Sequence, residues 1–158
     1  MTEEEKIDAG VLFWPDAPEL AAIKRRTHEL NVDYNMTHEG ETEKRQAILR
    51  QILGRMGEGV FIQGPIAFHY GKHTSIGKNV FANFNFTVQD DAKVTIGDEC
   101  CFGPNVTIVT PLHPMVASER RAMATAGGEA HRLCWAKPVH IGSYCWLGAG
   151  VTVCPGVT

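Results

Sequence analysis

The spacing of apolar residues changes character near Gly57. Before it, the spacing is helical. Ile48, Leu49, Ile52, Leu53 and Met56 fall on one face of a helix expected over Thr42 to Arg55, with Gly54 and Gly57 ending it. Pro18, at a helix start, followed by Leu20, Ala21, Ile23 and Leu30 among charges, predicts a helix over Pro18 to Leu30. A short one over Glu3 to Ala9 is stopped by Gly10. After Gly57 come short β-branched and aromatic runs punctuated by Gly, Asn and Asp.

Those runs repeat with a period of six. Three blocks open at Ile96, Phe102 and Ile108, and three more at Ile141, Leu147 and Val153. An earlier one opens at Ile76. Each block begins with a large apolar residue, usually followed by a small one. One block supplies a short strand and a turn; the large residue faces the axis of a coil, and Gly turns the corner where a side chain would clash or φ must be positive. Two irregularities stand out. Ile76 to Ile96 is two residues longer than three blocks, and a long loop separates Leu112 from Ile141. A solenoid places such insertions on one face, often the binding face.

Length and charge narrow the classes. The 158 residues fit one domain, and a net charge of −3 gives no sign of a nucleic-acid or membrane surface. The five cysteines form no C-x-x-C pair, so buried free thiols in a reducing compartment are expected rather than a zinc knuckle or a disulfide framework. The acidic N-terminus MTEEEKIDAG does not read as a signal peptide, and the protein is expected to be cytoplasmic.

One residue offers chemistry. His113 ends a strand, is followed by Pro114 and opens the long loop. A neutral imidazole can take a proton from a hydroxyl, and the amides of Gly148-Ala149-Gly150 could donate to an oxyanion. A surface loop histidine is the plain alternative.

The stretch Ala82-Asn83-Phe84-Asn85-Phe86-Thr87-Val88-Gln89-Asp90-Asp91, with Pro104-Asn105-Val106-Thr107, His113-Pro114, Lys137-Pro138-Val139-His140-Ile141-Gly142 and Cys145-Trp146-Leu147-Gly148, resembles the maltose and galactoside O-acetyltransferases. The likeness spans nearly the whole chain. It implies a mainly β fold: a left-handed parallel β-helix of three blocks per coil over residues 58–158, with a loop at about 113–138 and an α-helical segment over 1–57. It implies that acetyl-CoA is the co-substrate, that no metal is required, and that His113 is the base deprotonating a sugar hydroxyl. By the same resemblance Asp16, His69, Asn83 and Asp91 lie on the acceptor side, and Trp146 and Ala149 at the thioester end of CoA. A homotrimer with sites between subunits is expected.

The sequence departs from the family pattern in three places. Cys134 stands where a Glu usually supports the catalytic His, and His69 replaces a small polar or acidic residue before Tyr70-Gly71. The repeats also stop at Thr158, which reads as an incomplete solenoid. The first and third leave a non-catalytic interaction protein as the alternative function. A zinc hydratase would need three histidines, but His69, His73, His113, His131 and His140 lack the expected H-x-x-x-x-H pair.

Overall fold

The computed structural model describes residues 1–124 and 126–158. Three helices come first: α1 (Glu3–Asp8), α2 (Pro18–Asn35) and α3 (Thr42–Ile52). Thr2 and Glu5 close a capping box on α1. α2 runs on to Asn35 instead of ending at Leu30, and α3 stops at Ile52 because Arg55 already begins a strand. Strand pairing thus starts before the expected boundary at residue 57.

Three parallel four-stranded sheets follow. The first holds β1 (Arg55–Met56), and the second and third open with β2 (Phe61–Ile62) and β3 (Ile66–Phe68). The next coil supplies β4 (Thr74–Ile76), β5 (Phe81–Ala82) and β6 (Phe86–Gln89). The third supplies β7 (Val94–Ile96), β8 (Cys101–Phe102) and β9 (Thr107–Val109). The chain then leaves the coil through β10 (Pro111–Leu112), a helical turn α4 (Ala117–Arg120), a hairpin of β11 (Met123–Ala124) and β12 (Ala130–His131), and β13 (Trp135–Ala136). It returns as β14 (Val139–Ile141), β15 (Trp146–Leu147) and β16 (Thr152–Val153). Successive strands go to the three sheets in rotation, so the chain winds as a three-faced coil. The long loop is not structureless: β10 and β13 pair antiparallel at its base. Its Thr125 lies outside the described residues.

The residue opening each block faces inward. Ile76, Ile96 and Ile141 stack in register, as do Val88, Ile108 and Val153, and all six are buried in one core. At Gly57 and Gly77 glycine is required by close approach, whereas Gly150 is required by its φ of 73°. A Cβ on Gly77 would lie 2.7 Å from the Gly97 carbonyl carbon, and one on Gly57 2.6 Å from that of Gly77. Of the cysteines expected to be buried, only Cys100 and Cys134 are. Cys101 and Cys154 face outward, and all five are free thiols.

The two extra residues have a fixed place. The six-residue spacing holds from Ile76 to Ala82 and from Ala82 to Val88, and the excess falls after Val88, at the corner between the third and first sheets. In the coil below, His69 to His73 turn the same corner, and in the coil above the long loop leaves from it. This wide corner therefore stacks every irregular segment of the coil. The corner between the second and third sheets, by contrast, is short: it is turned by Asn83 to Asn85, Gly103 to Val106 and Gly148 to Val151.

A parallel coil leaves the backbone of its first turn unpaired. Here α2 satisfies it with side chains. Asn31 Nδ2 donates to the Phe68 carbonyl at 2.7 Å, and its Oδ1 accepts from the Phe68 N–H at 3.2 Å. Asn35 does the same for Ile66, at 2.9 and 2.7 Å, and Thr27 Oγ1 donates to the Tyr70 carbonyl at 2.7 Å. The match is metric. Four residues of helix rise about 6 Å, and two residues of strand about 6.6 Å, so positions 27, 31 and 35 meet 70, 68 and 66 in antiparallel order. On the neighbouring edge Arg45 donates to the carbonyls of Ile62 and Gln63, and Gln46 to that of Val60.

Because Asn31 serves two buried backbone groups at once, Asn31→Ala is expected to lower unfolding free energy by about 2–4 kcal/mol. Urea denaturation measures this; a loss below about 0.5 kcal/mol would mean that the edge is not held by this side chain.

Candidate active site

The wide corner gathers titratable groups. Asp90 is buried; its Oδ1 accepts from the N–H groups of Tyr70 and Gly71 at 2.8 and 3.1 Å, and its Oδ2 from the Thr74 hydroxyl at 2.7 Å. Burial raises its pKa against those donors. Asp91 is also buried, and its Oδ2 has no hydrogen-bond partner among the described residues. Burial pushes the Asp91 carboxyl up to about 6, and the charge of Asp90 adds to the shift. The Tyr70 hydroxyl is likewise buried without a partner, and burial with the charge of Asp91 raises its pKa. Two buried polar atoms without partners on one corner call for an explanation.

α2 covers this corner with the face next to its edge-pairing residues. Lys24 Nζ donates to the Pro15 carbonyl at 2.7 Å, pairs with Asp16 at 3.3 Å and lies 5.9 Å from the centre of the Tyr70 ring. His28 Nε2 lies 3.1 Å from His69 Nδ1, and burial, then the charges of Lys24 and His28, hold His69 down at about 4. His69 is therefore neutral near pH 7. His73 instead stacks on Tyr70 and bonds the Asp90 carbonyl. Among the described residues no three His, Cys, Asp or Glu side chains gather as a metal ion would need.

The loop adds its returning limb. Phe13 and Cys134 exchange backbone hydrogen bonds at 2.9 and 3.2 Å, and Trp14 stacks on His131 with ring centres 3.6 Å apart. Leu112 pairs with Trp135, the last pair of the ladder at the base of the loop. Burial, then the charge of Asp91, pushes the Cys134 thiol up to about 12. It stays neutral and offers no carboxylate-like support to an imidazole. His113 is exposed, on a cavity of about 340 Å³ lined otherwise by Ala117, Arg120, Arg121 and Arg132.

Within one chain the expected site residues divide into two groups. Asp16, His69 and Asp91 meet around Lys24 at the wide corner, on which the His113 loop is rooted. Asn83 and Ala149 sit at the other corner, across the four-residue strand β6, a distance of about 13 Å. There Asn83 Oδ1 accepts from the Phe84 N–H at 2.8 Å, so this side chain also holds its own turn. The Ala149 N–H makes no backbone hydrogen bond among the described residues, and Trp146 is 81% exposed. Lys24, His28, Tyr70 and Asp90 were not singled out from the sequence. For the two helix residues the only available signal was a polar stripe at positions 24, 28, 31 and 35.

Comparison with known proteins gives these corners a context. Residues 6–57 match the maltose acetyltransferase hexapeptide capping motif, the stretch holding α2 and α3 on the open edge. The galactoside O-acetyltransferase of Escherichia coli strain K12 is 35% identical over 158 residues, covering 100% of this chain and 73% of the relative. The chain belongs to the galactoside and maltose O-acetyltransferase family. Its fold is that of a maltose O-acetyltransferase from Clostridium difficile 630, with TM-score 0.89 and 35% identity over 99% of this chain and 79% of that one. A galactoside acetyltransferase solved in complex with coenzyme A gives TM-score 0.87 and 34% identity over 99% and 74%. No helix among the described residues is long and apolar enough to cross a membrane.

Asp91 and His69 impose opposite pH slopes on stability. Asp91, raised to about 6, keeps a proton that the unfolded chain releases near pH 4. Its contribution, about 2–3 kcal/mol, is full below pH 4 and lost as the pH rises through 6. His69, lowered to about 4, resists a proton that the unfolded chain accepts near pH 6.5, so acidification costs stability there. Asp91→Asn removes the first slope only. Its stability is therefore expected to fall more steeply than that of the wild type between pH 6.5 and 4, as followed by urea midpoints. Parallel profiles would mean that Asp91 titrates in the ordinary carboxylate range.

Proposed function

We propose that this protein is an acetyl-CoA-dependent O-acetyltransferase acting on a sugar hydroxyl, with His113 as the general base. The observation that carries this reading is the pair of buried, partnerless groups, Asp91 Oδ2 and the Tyr70 hydroxyl, on the corner where the His113 loop is rooted. Buried polar atoms of this kind are satisfied by the hydroxyls of a polyol. Asp16, His69 and Lys24 supply further acceptors and donors beside them. The sugar specificities in the relatives' names point the same way.

In this reading His113 takes the proton as the hydroxyl attacks the thioester carbonyl. The free Ala149 amide donates to the developing oxyanion, and exposed Trp146 offers an apolar plane to the pantetheine arm. Coenzyme A in the related solved structure supports acetyl-CoA as donor. The residues invoked for one reaction stand on two different corners of one chain. A second copy offering its Asn83 and Ala149 corner to the His113 corner of the first would complete the set. We therefore read the assembly as a homotrimer with sites between subunits. The coil is read as left-handed, residues 1–57 as its cap with β1 as the seam, and residues 58–158 as the unit carrying the site.

The test is CoA release from acetyl-CoA with a panel of sugars. His113→Ala is expected to lower kcat about 100- to 10,000-fold while retaining CoA binding. Unchanged turnover in that variant would remove His113 as the base. A wild type inert toward every acceptor and unable to bind CoA would favour a non-catalytic interaction protein, the outcome to which the neutral Cys134 points.

A further inference from the structure

The cavity at His113 is unlike the rest of the molecule in charge. Three guanidiniums, of Arg120, Arg121 and Arg132, line it with the imidazole, and no carboxylate does, in a chain whose net charge is −3. Among the described residues none of the three forms a salt bridge. Two are partly anchored. Arg120 Nη1 donates to the carbonyls of Pro114 and Met115 at 3.0 and 3.1 Å, and Arg121 Nε to that of Ser118 at 3.2 Å. Arg120 thus grips the backbone immediately after His113. Each guanidinium has five donors, so both retain N–H groups for a ligand. Like charges that line one cavity repel, and an oxyanion among them relieves that repulsion. Planar guanidinium forks match phosphate and carboxylate oxygens two at a time.

We infer that the cavity between His113 and the three arginines recognises an oxyanion, a phosphate or carboxylate, carried by the acceptor. The substrate class is then an anionic sugar rather than a neutral one. This rests on His113 being the base of the proposed function. The base must meet the reacting hydroxyl, with the thioester beside it. In acetyl-CoA the whole pantetheine arm separates that thioester from the phosphates. An anion sharing a cavity with the imidazole therefore belongs to the acceptor. Arg121 and Arg132 bind it, and Arg120 also positions the loop.

The test compares glucose and galactose with glucose 6-phosphate and glucuronate as acceptors for the full chain at saturating acetyl-CoA. The anionic sugars are expected to show the higher kcat/KM. In the double variant Arg121→Gln/Arg132→Gln the ratio of anionic to neutral kcat/KM is expected to fall at least about tenfold, as loss of charge-assisted hydrogen bonds implies. Arg50→Gln, an exposed position of α3, removes the same kind of charge elsewhere and should leave the ratio in place. A wild type that prefers neutral sugars, or a ratio unmoved in the double variant, overturns the inference while leaving the acetyltransferase reading intact. A raised KM for acetyl-CoA with an unmoved ratio overturns it too, assigning the cavity to the donor's phosphates. If no sugar is acetylated, the functional reading fails, and calorimetric titration with glucose 6-phosphate and inorganic phosphate decides the anion site alone. Binding by the wild type that the double variant loses supports it; absence of binding overturns it.

Discussion

A parallel coil cannot end without exposing a row of backbone donors and acceptors, and the rest of this structure follows from how its first turn solves that problem. Thr27, Asn31 and Asn35 stand in for a strand, each Asn amide reproducing both hydrogen bonds of a peptide group. The similar rise of four helical and two extended residues makes the substitution possible. An unpaired edge would also invite another chain to add to it. Once α2 is locked to β3 in this register, its Lys24 and His28 have one place to go: over the corner that holds His69, Tyr70 and the acids. One register of α2 thus both closes the edge and covers the wide corner.

The cluster of buried titratable groups occupies the wide corner because that is where the coil can tolerate insertion. Strands stacked in register with buried Ile, Val and Phe admit no extra residue without turning an apolar side chain outward. A corner can lengthen without disturbing the sheets. Two extra residues there make room for Asp90 and Asp91 in one coil and for Tyr70 and Gly71 in the coil below. The long loop leaves from the same corner in the coil above. Its base is pinned by β10 against β13 and by Phe13 against Cys134, so His113 is presented from an anchored stem.

Burial then sets the charge states. Asp91 is held near 6, His69 near 4 and the Cys134 thiol near 12, each chiefly by loss of water. The wide corner therefore sets a neutral His69 and Cys134 beside an Asp91 that gains its proton unusually early on acidification, with the charges of Lys24 and Asp16 next to them. The positive charge next to His113 lies instead on the loop, in three guanidiniums. The buried acids of the corner and the guanidiniums of the loop are thus physically separate parts of one surface.

Much of the fold was legible in the sequence because its physics is local and periodic. Six-residue spacing fixed the blocks and their inward residues, and helical spacing located α3. The likeness to known acetyltransferases points to His113, Asp16, His69, Asn83 and Asp91. Other features were not legible, since they depend on contacts between distant segments. The extension of α2 beyond Leu30 depends on Asn31 and Asn35, whose side chains bond the backbone of β3. The two extra residues gained meaning only when three coils stacked them on one corner. That Asn83 and Ala149 sit one strand away from Asp91, and that Cys134 is a buried thiol paired through its backbone with Phe13, was decided by the tertiary structure alone. Spacing along the chain sets which residues share a face; only the winding and its closure set which corners meet.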